Sequence, residues 1–251
     1  MGQAQFQKAL AMLIRLPEHN RQNLEQFLAA HELSCEEKEN LRVLAHHREV
    51  NKFGYKMRNG RINYILESIP ISLEYVDQEN FIDLIKKEFD PKHSLVYARK
   101  IYRDFRAFMV SLRELPHEAW RKYLGDPPEF FFDLLEFEML DSELEFQGFG
   151  ERPLMDQSPL LHTSFEVLSL EYRIHDFVEK KRNPLKKKSS RILPFKEKTS
   201  LLFLKEGEGE YGYQLYEIDD VGINFLKKSL LGRKAKAPSY YQDLVESGLC
   251  K

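Results

Sequence analysis

Residues 165–178 read FEVLSLEYRIHDFV, and the way this stretch is taken decides the class of the fold. Val167, Ser169, Glu171 and Arg173 alternate with Leu168, Leu170 and Tyr172, the two-residue period of a half-buried strand rich in β-forming residues. A strand is therefore expected across the whole stretch. The residues before it repeat on a helical period, and those after it complete a sheet.

On the N-terminal side, Phe6, Leu10, Leu13 and Ile14 fall at i, i+4, i+7 and i+8, and Leu24, Phe27 and Leu28 at i, i+3 and i+4, which predicts two short amphipathic helices separated near Pro17. Ser34 followed by Glu37 is a capping-box pattern. It opens a helical segment through residue 69 that is expected to bend or break at Gly54 or Gly60 and that Pro70 closes. Further helices are predicted in 77–90, where Asp77 can cap, in 94–115 after Pro91, and after Pro127 and Pro128.

On the C-terminal side, residues 201–205 and 213–218 alternate around a glycine-rich turn, a hairpin signal. Two helices close the chain, one capped by Asp219 or Asp220 and stopped by Gly232, the other after Pro238. The reading is an α+β chain with a helical domain over 1–150. A small antiparallel-sheet domain over 151–251 completes it, winged-helix-like in its order of elements and of a kind suited to peptide recognition. Within it, residues 179–198 carry nine Lys or Arg against two Glu, which predicts an exposed basic loop at 180–198.

Bulk properties narrow the function classes. At 251 residues and 42% hydrophobic the chain can bury a core of one large or two ordinary domains, and its formal charge of −2 gives no overall pull toward nucleic acid. No apolar run approaches the roughly 18 residues that suggest a bilayer span, and no secretory pattern opens the chain, so a cytoplasmic protein without a membrane partner is expected. Cys35 and Cys250 form neither a disulfide framework nor a CxxC pair.

Candidate chemistry concentrates in residues 127–140, PPEFFFDLLEFEML. On a helix Asp133 and Glu138 lie about 140° apart and Asp133 and Glu136 about 60° apart, so the three carboxylates do not converge as an acid/base or metal site needs. They are expected to solvate the helix and to make a tertiary salt bridge. The pair His46 and His47 points its rings about 100° apart, and no His-Glu-x-x-His, GxSxG or GxxxxGK[ST] motif occurs. His162, Arg173, His175 and Asp176 surround the 165–178 stretch, but on alternating strand faces they are not expected to meet. No catalytic residue, metal ligand or cofactor is assigned.

The order of the segments 5–10 (QFQKAL), 47–51 (HREVN), 81–89 (FIDLIKKEF), 133–140 (DLLEFEML) and 161–177 (LHTSFEVLSLEYRIHDF) resembles that of the bacterial partner subunits of multinuclear non-haem iron peptide-modifying enzymes, the methanobactin-biosynthesis partner type. The family's Asp-Leu-x-x-x-Glu-Trp run falls on Asp133 and Glu138, with Met139 in place of tryptophan. Its Leu-His-Pro-Ser run falls on Leu161 to Ser164, with Thr163 in place of proline. The resemblance implies a non-catalytic subunit that forms a heterodimer with an iron enzyme and presents a ribosomally made precursor peptide to it. Asp133, Glu138, His162 and Arg173 are then candidates for the partner interface. The N-terminal part of that family also carries a DNA-binding label.

Peptide presentation suits the predicted sheet, because an exposed strand can accept an extended peptide as an added strand. Residues 213–218 offer Tyr213, Leu215 and Glu217 on one face and Gln214, Tyr216 and Ile218 on the other. Tyr213, Leu215, Tyr216 and Glu217 are the candidate peptide-binding residues, with the helix from Asp219 as the groove's second wall. The alternative is a winged-helix-like DNA-binding protein whose lysine-rich loop neutralises phosphates. Asp243 and Glu246 on the last helix are a poor face for a major groove.

Overall fold

A computed structural model describes residues 2–15, 22–89, 101–147, 165–182, 193–205, 212–230, 233, 236–246 and 249. The fold is α+β, with a helical N-terminal part and a three-stranded antiparallel sheet. The helices are α1 (Gly2–Arg15), α2 (Leu24–Ala29), α3 (Cys35–His46), α4 (Arg48–Ser68), α5 (Gln78–Leu84), α6 (Ile101–Arg113), α7 (His117–Leu124), α8 (Phe131–Gln147), α9 (Ile174–Arg182), α10 (Asp220–Leu230) and α11 (Tyr241–Glu246). The strands are β1 (Phe165–Leu170), β2 (Thr199–Lys205) and β3 (Tyr213–Ile218). His162 and the middle of the basic loop, 183–192, lie outside the described residues.

The chain divides into two compact units, and not at residue 150: Met1–Glu67 with Gln78–Ile101, and Ser68–Asp77 with Tyr102–Lys251. Hydrophobic burial sets this division, since Leu134, Phe137, Leu140 and Leu144 of α8 share one core with the sheet residues Leu168, Leu170, Leu201 and Phe203.

In the first unit, Ala9 and Leu13 of α1, Leu24, Phe27 and Leu28 of α2 and Leu41 and Ala45 of α3 form a core at the helical spacing their sequence shows. The Ser34 capping box is present in full: Glu37 N–H donates to Ser34 Oγ at 3.1 Å and Ser34 N–H to Glu37 Oε2 at 2.8 Å. The break that separates α3 from α4 falls at His47, not at Gly54 or Gly60. His47 is extended (φ −73°, ψ 123°), and the Asn51 side-chain amide donates to the Ala45 carbonyl, which the break releases, at 3.2 Å, and to the His47 carbonyl, which also accepts the Asn51 N–H, at 2.9 Å.

In the second unit the strands run in the order β1-β2-β3. The register Phe203↔Leu215 and Leu168↔Leu201 puts Leu168, Leu170, Leu201, Phe203 and Tyr213 on the face covered by α8 and α9. Leu202, Leu204 and Ile218 lie on the opposite face with Phe225, Leu226 and Leu244 of α10 and α11. Burial on both faces explains why TSLLFLK is a nearly continuous apolar run instead of an alternating one.

The stretch 165–178 is not one strand. β1 ends at Leu170, and Ile174–Arg182 coils into α9, because Ile174, Phe177 and Val178 recur at i, i+3 and i+4 and are all buried. Asp176 in its first turn and Lys180, Lys181 and Arg182 in its last also complement the helix dipole. The alternation past Leu170 spans too few residues to set a period.

Candidate functional site

Three elements of the second unit enclose a groove of about 480 Å³, within the size range of small-ligand pockets. Phe137 and Asp141, four apart, come from α8; His175, Val178, Glu179 and Arg182, at i, i+3, i+4 and i+7, come from α9; Tyr213 and Leu215, two apart, come from β3. Each set obeys the period of its own element. Helical coiling of 174–182 is therefore what gives the groove its second wall.

The floor is polar at one point. Asp141 is buried, accepts a hydrogen bond from the Tyr213 hydroxyl, and faces Arg182 with Nη2 at 2.7 Å from Oδ2. Burial, and then the charge of Asp141, push the Tyr213 phenol far above its ordinary value. Burial works against the Arg182 cation, but the Asp141 carboxylate outweighs it and holds the guanidinium more firmly protonated than usual.

At the N-terminal end of α9, Arg173 binds carboxylates from three segments: Asp176 at 2.9 Å, Glu217 of β3 at 3.0 Å and Glu197 at 3.6 Å. His175 Nε2 stands 3.2 Å from Asp176 and 3.9 Å from Glu217, while its Nδ1 is buried with no hydrogen-bond partner among the described residues. The hydrogen bond from Arg173 holds the Asp176 carboxyl below its ordinary range. Arg173, His175 and Asp176 thus meet after all, since a helix brings i and i+3 to one side where a strand would separate them.

The carboxylates of residues 133–138 are not the wet side of a helix. Asp133 and Glu138 are wholly buried. Asp133 accepts from Arg113 Nη1 at 2.7 Å and from the N–H groups of Glu171 and Tyr172 at 2.7 and 3.1 Å, which ties α6 and the end of β1 to α8. Glu138 accepts from the N–H groups of Ile71 and Ser72 at 3.0 and 2.8 Å and from Ser72 Oγ at 2.7 Å. Burial raises its carboxyl above the ordinary value in spite of these donors. Glu136, half-buried beside Arg106 and Arg113, is raised by burial too. The expected salt bridge exists at Asp133, but neither Asp133 nor Glu138 presents a surface to a partner.

The candidate peptide-binding residues divide between the two faces of β3. Tyr213 and Leu215 line the groove and Glu217 continues that face to Arg173, whereas Tyr216 packs on the α10 side against the core around Leu202 and Ile218. The helix from Asp219 is therefore not the second wall; α9 is. Of the remaining lining residues, Phe137, Asp141, Val178, Glu179 and Arg182 were not singled out from sequence, although HDFVEKKR read on a helical period places four of the eight on one side.

Among the described residues no three His, Cys, Asp or Glu side chains are grouped to hold a metal ion, and no described helix is long and apolar enough to cross a membrane. Together, fold and site define an α+β chain whose outer strand β3 has no further strand beside it among the described residues and borders a mixed polar and apolar groove. No protein-family model matches the chain, and no curated protein matches it in sequence. The likeness to iron-enzyme partner subunits thus rests on the order of its short segments alone.

Proposed function

We propose that this chain is a non-catalytic partner subunit that takes up a ribosomally synthesised precursor peptide by strand addition along β3 and presents it to a multinuclear iron enzyme in a heterodimer. The observation that carries the reading is the groove beside the outer margin of β3, with Tyr213 and Leu215 on the strand and α9 facing them. Strand addition uses main-chain hydrogen bonds that any sequence can make, while pockets for alternate side chains confer selectivity. A margin of this kind is an aggregation hazard unless something covers it, so an exposed strand next to a preformed groove suits a peptide ligand. The lysine-rich loop and the closing helices are also the elements a DNA-binding protein would use, but no described residue favours that reading over the groove.

The test is co-expression of the chain with an iron enzyme of the resembled family and its precursor peptide, followed by size-exclusion chromatography and peptide-binding titration. A one-to-one complex is expected, and Leu215→Asp should leave it intact while weakening peptide binding about tenfold or more. A chain that stays alone, or a peptide that binds equally well to the variant, overturns the proposal. Salt-sensitive retention of duplex DNA without association to the enzyme would favour the DNA-binding reading.

A further inference from the structure

The groove carries a charge imbalance that the sequence as a whole does not. Asp141 stands in its floor and Glu179 on its α9 wall, and Asp176, Glu197 and Glu217 gather at the end where His175 lies. Among the described residues Arg173 and Arg182 pair with them, and the charge of Lys180 reaches Asp176. Among the described residues, five carboxylates against these three cations leave two negative charges in excess. Both guanidinium groups are already engaged, Arg182 with Asp141 and Arg173 with Asp176, Glu197 and Glu217. At the opposite end Lys205, across from Tyr213 on β2, and Glu145, whose charge reaches the Tyr213 phenol, offset each other.

Between the charged ends the lining is apolar: Phe137 and Val178 are buried beneath the groove, and Leu215 is 36% exposed above them. Leu215 and Glu217 point to the same face of β3 because strand side chains alternate. A strand laid beside β3 would set its own alternate side chains opposite Tyr213, Leu215 and Glu217 in turn.

We infer, on the reading that this groove takes an extended peptide, that its occupant is a cationic one: a segment with an apolar side chain opposite Leu215 and a lysine or arginine two residues away, facing Glu217 and Glu179. Opposite charges directly across two strands attract, and like charges there repel. Acidic or uncharged segments are therefore disfavoured, and the choice is made by charge complementarity and not by the main-chain ladder that every peptide shares.

The experiment is selection of a randomised displayed peptide library on the immobilised full chain, on Glu179→Lys and on Leu215→Asp, each variant checked by circular dichroism. Glu179 is an exposed helix residue, so its replacement leaves the fold in place even if Leu215→Asp does not. The expected result is enrichment of sequences with Lys or Arg alternating with apolar residues. That preference should disappear on Glu179→Lys, and the best cationic peptide should lose about fivefold to tenfold in affinity there. Peptides enriched without a charge preference, yet lost on Leu215→Asp, would overturn the charge inference and leave the peptide-groove reading standing. An absence of enrichment, or enrichment indifferent to both variants, would overturn both.

Discussion

Glu138 and Ser72 are joined twice: the Ser72 N–H and hydroxyl both donate to Glu138 Oε2, at 2.8 and 2.7 Å, while Ile71 N–H takes Oε1 at 3.0 Å. The chain between α4 and α5 turns through Ser72–Tyr75, and its first backbone donors have no helical acceptor of their own. One carboxylate in the middle of α8 supplies them. Ser142, one turn further along α8, donates to the Ser68 carbonyl at 3.2 Å and secures the same turn from its other side.

Removing that carboxylate should therefore be costly. Glu138→Ala strands three buried donors and is expected to destabilise the fold by about 3–5 kcal/mol, and Glu138→Gln, which keeps one acceptor oxygen, by about 1–2 kcal/mol. Urea denaturation followed by circular dichroism measures both. Equal losses for the two variants would mean that the donors find other acceptors.

The same residue gives stability a dependence on pH. Its folded pKa lies above 4.5, so the folded chain keeps this proton to higher pH than the unfolded chain does. The associated stability is complete below the unfolded value and is lost as pH rises through the folded one. Wild type should accordingly lose stability relative to Glu138→Gln as pH rises from the unfolded carboxyl value of about 4.3 through the higher folded one. Glu136, raised likewise, and Asp176, lowered, are common to both proteins and cancel in the comparison. A difference in denaturation midpoint that stays flat over this range would contradict the assignment.

Asp133 and Arg113 provide a test of the buried ion pair. Asp133→Ala leaves two backbone donors and a guanidinium without their acceptor and should cost about 3 kcal/mol, whereas Arg113, itself 39% exposed, can turn to water. Arg113→Ala is expected to cost about 1–2 kcal/mol, and a double-mutant cycle should return a coupling of about 1 kcal/mol or more. A coupling near zero would assign the whole effect of Asp133 to its backbone bonds.

Gly222 is fixed by a side chain, not by its backbone angles. Asp219 Oδ1 accepts from Gly222 N–H at 2.8 Å and from the Tyr240 hydroxyl at 2.7 Å, and a β-carbon on Gly222 would fall on that hydroxyl. Burial and the Asp219 bond push the Tyr240 phenol to about 12, so the hydroxyl stays protonated as the donor. Gly222→Ala should cost about 1–3 kcal/mol by overpacking, and less in a Tyr240→Phe background. Thermal denaturation of the two single variants and the double variant reads this directly; a penalty unchanged in the phenylalanine background would rule the contact out.

Much of the fold was legible one segment at a time. The Ser34 box, the Asp219 cap and the apolar spacing of α1, α2 and α10 are local chemistry, and each specifies its element without help from elsewhere. Where two local signals competed, reading failed: the glycines at 54 and 60 looked like the helix breakers, yet the break is at His47, where the Asn51 amide satisfies the freed Ala45 carbonyl. Residues 171–178 carry strand-like alternation and a helical apolar stripe at once. The stripe prevails because Ile174, Phe177 and Val178 can reach the core of α8 only as a helix.

The amino-acid sequence by itself determined the class of the fold, because hydrophobic period and turn chemistry act over a few residues. It also excluded convergence of Asp133 and Glu138, since their angle on one helix is a local property. Only the tertiary structure decided that both are buried and bound to the turns around Ser72 and Glu171, and that α9 rather than α10 faces Leu215. Those outcomes depend on which donors and which apolar surfaces are brought together from residues tens of positions apart, and a short-range pattern carries no information about that meeting.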